Sequence, residues 1–168
     1  TGKDITTVEE NVIAYLKKTA PEICVGAACY PEGHVECPRR EKDIEFLKAK
    51  VDCGVDFLTT QMFFDNSKFF AFVEKCRAAG ITVPIIPGIK PISTMKHIEL
   101  LPQAFSIDIP QELMKELLKC SGNAAIYDLG VEWATMQCKD LLPHGAKAVH
   151  FYTMGKADNI REIIRKAF

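Results

Sequence analysis

Apolar residues fall at helical spacing in one stretch of this chain and in short unbroken runs in the next, and the two patterns alternate to its end. Val8, Val12, Ile13, Tyr15 and Leu16 form one stripe over 7–19, behind Thr7 as a cap with Glu10 three residues beyond it. Pro21 ends that helix, and the run 23–28 reads as a strand. The helical spacing returns over 40–53 through Ile44, Phe46, Leu47 and Val51, with Gly54 placed as the C-cap. A strand over 55–60, a helix over 66–79 ending at Gly80, and a strand over 83–87 follow. Helices over 94–101, 111–119 and 124–142, a strand over 148–152 and a closing helix over 158–167 complete the pattern.

Strands that are continuously apolar are buried on both faces, and strands separated by helices pair in parallel. The chain is therefore expected to be an α/β protein, with residues 1–168 forming a single unit. Four strands are too few to close a barrel, whereas a doubly wound sheet of that size stands alone, so the pattern leaves both architectures open. No GxGxxG follows any strand, which speaks against a dinucleotide-binding Rossmann unit.

Composition narrows the function classes. Lysine and arginine number 21 against 22 for aspartate and glutamate, so no global charge favours nucleic acid or an anionic membrane as partner. No apolar run reaches the roughly 18 residues of a membrane span, and the first residues lack a signal-peptide core, so a cytoplasmic protein is the default. Seven cysteines, without a CxxC pair, read as reduced thiols.

In sheets of this kind ligands meet the C-terminal ends of the strands. Those ends carry four polar clusters: 30–36, 59–65, 87–91 and 152–156. Gln61, followed by Met62, Phe63 and Phe64, sets an amide beside an aromatic run, which suits a planar heterocycle needing a few oriented hydrogen bonds. Lys42, Lys48 and Lys50 form either a solvated helix face or a reach toward a cofactor phosphate. Cys29, His34 and Cys37 share one loop, but their spacing is poor for zinc, and no metal site is assigned. Glu32 and Glu36 are read as loop-holding or helix-capping residues rather than as a catalytic acid.

Taken in order, the segments 27–36 (AACYPEGHVE), 60–65 (TQMFFD), 85–93 (IIPGIKPIS) and 150–154 (HFYTM) resemble the methylenetetrahydrofolate reductase family over nearly the whole chain. The resemblance implies a (β/α)8 TIM barrel, with this chain supplying the last four βα units. It implies FAD as the cofactor, contacted by Ala28, Tyr30, His34, Asp43, Lys50 and Thr59, with Tyr152 beside the flavin. It places Gln61 on the pterin of folate, and Phe69, His97 and Lys156 at positions that meet folate or the nicotinamide nucleotide. The implied reaction is ping-pong: NADH or NADPH reduces the flavin, which then reduces methylenetetrahydrofolate to methyltetrahydrofolate. The family's acidic catalytic residues lie on earlier strands, so no catalytic residue is assigned here. A half-barrel also implies an N-terminal half or a partner subunit to complete it, and an oligomer.

The chain departs from the family pattern at Phe46, Ala49, Leu101 and Lys156, the last standing in place of an arginine. Those departures leave FAD against FMN open, together with the choice of donor. The alternative reading is a non-catalytic folate-binding or assembly module that keeps Gln61 and has lost redox function.

Overall fold

The computed structural model describes residues 5–33 and 40–168. In chain order these form α1 (Ile5–Thr19), β1 (Gly26–Cys29), α2 (Arg40–Asp52), β2 (Phe57–Met62), α3 (Asn66–Ala78) and β3 (Ile85–Ile89). Then come α4 (Met95–Phe105), α5 (Gln111–Leu117), α6 (Asn123–Leu141), β4 (His150–Phe151) and α7 (Asp158–Ala167). The strands pair in parallel and stand in the sheet in chain order, β1-β2-β3-β4. A doubly wound sheet reverses its strand order at a switch point; a barrel wall adds each strand on the same side, and right-handed crossovers then put every helix on one face. Among the described residues no reversal occurs, so the architecture left open by the hydrophobic pattern is that of part of a (β/α)8 barrel.

Leu58, Ile85, Ile89 and Cys29 leave the helical side of the sheet and pack against Leu47, Phe69, Phe72, Val131, Cys138, Leu141 and Ile163. A second cluster, built on Met62, Phe64, Ile92, Leu101, Leu113, Leu117 and Ile126, joins α4, α5 and α6 to the ends of β2 and β3. Two side chains of α6 fix that junction: Gln137 Nε2 donates to Phe63 O at 3.1 Å, and Trp133 Nε1 donates to Phe64 O at 3.0 Å. Where α6 passes the chain beyond β3, a Cβ on Gly130 would lie 1.8 Å from Ile92 O, so only glycine permits the approach.

Each strand begins two or three residues later than its apolar run. The residues ahead of the paired segments still fill the sheet's lower end: Val55 is buried, Asp56 N donates to Val25 O at 2.8 Å, and the Asp56 carboxylate accepts from Val25 N at 2.7 Å. Two helices also differ from expectation. α1 begins at Ile5, so Thr7 lies within the helix rather than ahead of it. Of the α1 stripe Ile13 is buried, whereas Val8, Val12 and Tyr15 face solvent, because α1 packs chiefly on α2 at the edge of the sheet. α4 continues through Pro102 to Phe105, although proline removes one helical hydrogen bond; burial of Leu101 and packing of Phe105 in the second cluster hold the last turn. Among the described residues no helix is long and apolar enough to cross a membrane.

Candidate functional site

Side chains alternate along a strand, so the residues next to the buried ones must point to the face that carries no helix. Ala28 lies beside Thr59, and Gly26 beside Phe57, across the β1–β2 pair; Thr59 in turn lies beside Ile86 of β3. Gln61, Gly88, His150 and Tyr152 continue this inner face to the C-terminal ends of the strands. Ala28 and His150 are exposed, and Thr59, Gln61, Ile86 and Tyr152 are half-buried. The inner face is thus concave, mixed in polarity and open.

Local chemistry holds its groups in place. Gln61 Oε1 accepts from Met62 N at 3.0 Å, which orients the amide and leaves its NH2 without a partner among the described residues. The Tyr152 hydroxyl crosses β3 and donates to Thr60 O at 2.9 Å, and Thr60 Oγ1 accepts from Gly88 N at 2.8 Å. That crossing requires the missing side chain of Gly88, since a Cβ there would lie 2.7 Å from the Tyr152 ring and 2.4 Å from Thr60 O. The ring stands edge-on to His150 at 4.7 Å. Burial, with Cys29 and Tyr30 nearby, raises the Tyr152 phenol above its usual range, so it stays a neutral donor.

Beside β1 a cleft of about 280 Å³ is lined by Tyr30, Glu32, Asp43, Lys68 and Asp108 among others. Glu32 is buried; its Oε2 accepts from Lys68 Nζ at 2.5 Å and from Asp108 N at 3.0 Å, and its Oε1 has no partner among the described residues. Burial pushes the Glu32 carboxyl up despite Lys68. Glu32 therefore ties the loop after β1 to α3 and to the segment between α4 and α5, which is the loop-holding role expected of it.

A larger cleft of about 580 Å³ opens between the ends of β3 and β4, lined by Ser93, Thr94, Asn123, Tyr127, Lys156, Asn159 and neighbours. His97, in the first turn of α4, accepts from Ser93 N at 3.2 Å through Nδ1, which puts a neutral ring's proton on Nε2. Burial, and then the charges of Lys90 and Lys156, hold its pKa below the usual histidine value.

The structure thus brings Ala28, Thr59, Gln61 and Tyr152 onto one face, Tyr30 and Asp43 into a cleft at its β1 edge, and His97 and Lys156 together at the other. Two expected positions are arranged differently. Phe69 sits in the helix–sheet layer, stacked on Phe63 with ring centroids 5.3 Å apart, and supports the strand end from behind rather than lining the inner face. Lys50, in the last turn of α2, is ion-paired with Glu9 of α1. His34, like Glu36 and Cys37, lies outside the described residues. Of the zinc alternative, Cys29 is buried among apolar side chains and its thiol pKa is pushed well up, mainly by that burial, which disfavours the thiolate a metal needs. The sequence pattern placed Lys90 in the cluster 87–91 without singling it out; it follows β3 and is 3% exposed. Its apolar neighbours in the run 85–92 were the available signal.

The family model for methylenetetrahydrofolate reductase matches residues 3–167. A "Probable methylenetetrahydrofolate reductase (NADPH)" of Caenorhabditis elegans is 39% identical over 143 residues, covering 84% of this chain and 22% of the relative. "Methylenetetrahydrofolate reductase (NADH) 1" of Arabidopsis thaliana is 36% identical over 140 residues, covering 77% and 24%. The 5,10-methylenetetrahydrofolate reductase of Escherichia coli is 34% identical over 149 residues, covering 88% and 50%. The chain therefore spans about half the length of the bacterial relative and about a quarter of the eukaryotic ones. Among solved structures, an uncharacterized protein from Clostridium thermocellum, described as binding two copies of 5-methyl-5,6,7,8-tetrahydrofolic acid, superposes with a TM-score of 0.61 at 17% identity, covering 94% of this chain and 57% of that one. At that identity the likeness bears on the fold.

Proposed function

Because this chain belongs to the methylenetetrahydrofolate reductase family, we propose that it forms part of the flavin and folate site of an enzyme that reduces 5,10-methylenetetrahydrofolate to 5-methyltetrahydrofolate, with NADH or NADPH as donor. The observation that carries this reading is the convergence of Ala28, Thr59, Gln61 and Tyr152 on one open face at the C-terminal ends of parallel strands. The residues fit a flavin: Ala28 leaves room for a flat ring, while Thr59 and Gln61 offer a hydroxyl and an amide at its edge. The bound flavin would supply the hydride chemistry of both half-reactions.

The chain's own residues then position and exclude. The Gln61 amide, fixed by Met62 N, presents its NH2 to a heterocycle edge. Tyr152 closes the inner face over Gly88 and keeps β3 and β4 in register. Tyr30 and Asp43 line a cleft suited to the polar end of a cofactor, FAD or FMN. His97 and Lys156 flank the opposite edge, where a substrate tail would emerge. The proton needed to open the folate ring is assigned to no residue of this chain, since Glu32 is held by Lys68 and Asp108 N. The bare inner face is completed, in this reading, by further barrel strands, from the same protein or from a partner subunit.

The test is a spectrum of the full protein. Bound oxidised flavin absorbs in the visible; NADH or NADPH should bleach it, and methylenetetrahydrofolate should restore it. Gln61→Leu should leave the bleaching step and slow the restoring step by about tenfold or more, the effect of losing one oriented hydrogen bond in a water-excluded site. Absence of bleaching by either nicotinamide in the parent protein would favour the non-catalytic folate-binding or assembly module that has lost redox function.

A further inference from the structure

On the helical side of the sheet, away from the inner face, a cleft of about 310 Å³ opens where α6 meets the turn from β2 into α3 and the start of α5. Two of its walls are apolar. Phe64 and Pro110 form one, and Trp133 with Met136, one turn apart on α6, forms the other. Trp133 Nε1 is committed to Phe64 O at 3.0 Å, so the half-buried indole is held by its nitrogen edge and cannot turn away. Met136 is 55% exposed, although it borders the cleft. A thioether and an indole left open side by side suit the apolar stem and flat head of a guanidinium.

The rim of the cleft is acidic. Asp65 before α3, Glu112 of α5 and Asp140 of α6 line it, and no lysine, arginine or histidine does. Bonds within the chain leave capacity over: Asp65 Oδ1 accepts from Ser67 N and Oγ, and Asp140 Oδ2 accepts from Asn66 Nδ2 at 2.8 Å. His144 stands 3.4 Å from Asp140 Oδ1, beyond α6 and outside the cleft. Among the described residues no three such side chains converge closely enough to hold a metal ion. Carboxylates spread around an apolar cleft match a cation whose charge is spread as well. We propose that this cleft is a docking surface for an arginine side chain presented by a partner polypeptide, with its stem against Met136 and Pro110, its plane on Trp133 and its N–H groups on the carboxylates of Glu112 and Asp140. Arginine fits better than lysine, because its planar, weakly hydrated cation stacks on aromatic rings and carries five donors. The cleft is open to solvent along Met136, so a lone side chain gains little there, and further contacts must come from the chain that carries it. Lying on the side opposite the inner face, the surface does not rest on the function proposed above.

The experiment titrates the full protein with the peptide acetyl-Ala-Arg-Ala-amide and with its counterpart containing citrulline, which has nearly the same shape and no charge. Binding is followed by NMR at the indole N–H resonance of Trp133, the single tryptophan of this chain, assigned by its loss in Trp133→Phe. A saturable shift is expected with the arginine peptide, weakening as salt screens the rim, and none with citrulline. Glu112→Gln, at an exposed position, should weaken binding about threefold, the scale of one solvent-facing ion pair. Met136→Ala should also weaken it, through the lost stem contact, and leave the salt dependence as in the parent. The proposal is overturned if the arginine peptide gives no saturable shift up to high millimolar concentration, if the citrulline peptide binds equally, or if either variant binds as the parent does. Self-association of the parent that Glu112→Gln abolishes would also overturn it, and would assign the cleft to a second copy of this chain.

Discussion

Leu58 and Thr59 are neighbours in β2, yet one is sealed under the helices and the other looks onto the open inner face. The same holds for Cys29 against Ala28 and for Ile85 against Ile86. On the helical side, one continuous cluster reaches from Ile13 to Ile163, and apolar atoms meet apolar atoms throughout. The inner side mixes Ala28, Thr59, Gln61, His150 and Tyr152, and its order comes from hydrogen bonds to the backbone at Met62 and Thr60. The contrast separates two tasks. Packing of the outer face fixes where the strands lie, and the inner face then spends little of its own chemistry on stability, leaving polar groups for a ligand.

The sharpest test of that division acts on the packed side. Gly130→Ala drives a Cβ into the Ile92 carbonyl, and because the obstacle is backbone the whole of α6 must retreat; a loss of about 3 kcal/mol is expected, read from the urea midpoint. Next comes a matched pair. Leu58→Ala should cost about 2–5 kcal/mol, since the side chain is fully buried. Thr59→Ala, one residue away, should cost less than about 0.5 kcal/mol without ligand, as surface changes do. Equal losses in the two would mean that the inner face is itself a packed core.

The outer face was legible in the sequence, and the inner face was only partly so, for a physical reason. Helix-side burial imposes a period, so the helices over 40–53, 66–79 and 158–167 are found within one residue of their observed ends. The strand starts were read two or three residues early, because Val25 and Val55 are apolar and lie beneath the pairing without belonging to it. The helix over 94–101 was read four residues short: α4 runs on through Pro102 to Phe105, with Leu101 buried. Phe69 was placed near the ligand by the family resemblance, whereas its stack on Phe63 needs a contact between helix and strand end that spacing alone does not encode. Lys90 was read only as one member of the polar cluster 87–91, because its burial is a tertiary property that a lysine between apolar residues does not announce. Gln61, by contrast, lies at the end of the strand where the hydrophobic pattern put it.

The polar boundary between the two faces responds to pH. Burial raises the Glu32 carboxyl above its ordinary 4.5, so the folded state prefers the protonated form. A raised pKa makes a contribution to stability that is full below 4.5 and is lost as the pH rises through the folded value. Glu32→Gln removes that loss: parent and variant should match best in acid, and the variant should gain on the parent as the pH rises toward neutral, by less than either packing change. Urea midpoints at pH 4, 5, 6 and 7 read the trend. If the parent gains instead, the hydrogen bonds from Lys68 and Asp108 N outweigh burial.

The smallest effect belongs to Lys50, where the two faces make competing claims on one charge. Its side chain is 15% exposed and its amine pairs with Glu9, whose carboxylate is half in solvent, so the pair holds α1 against α2 with about 0–1 kcal/mol. If Lys50 also reaches the polar end of a flavin, its charge has two partners, and removing it has two readouts. Lys50→Met should lower stability slightly and abolish any coupling with Glu9→Gln in a double-mutant cycle. It should also reduce flavin retention in the full protein, most at low ionic strength, with the gap closing as salt screens the charge. Glu9→Gln discriminates between the two: freed from its intrachain carboxylate, Lys50 should hold the flavin at least as well as the parent does. Equal flavin occupancy in parent and Lys50→Met at every salt concentration would leave Lys50 with the structural pairing alone, and the flavin's polar end would then rest on Tyr30 and Asp43.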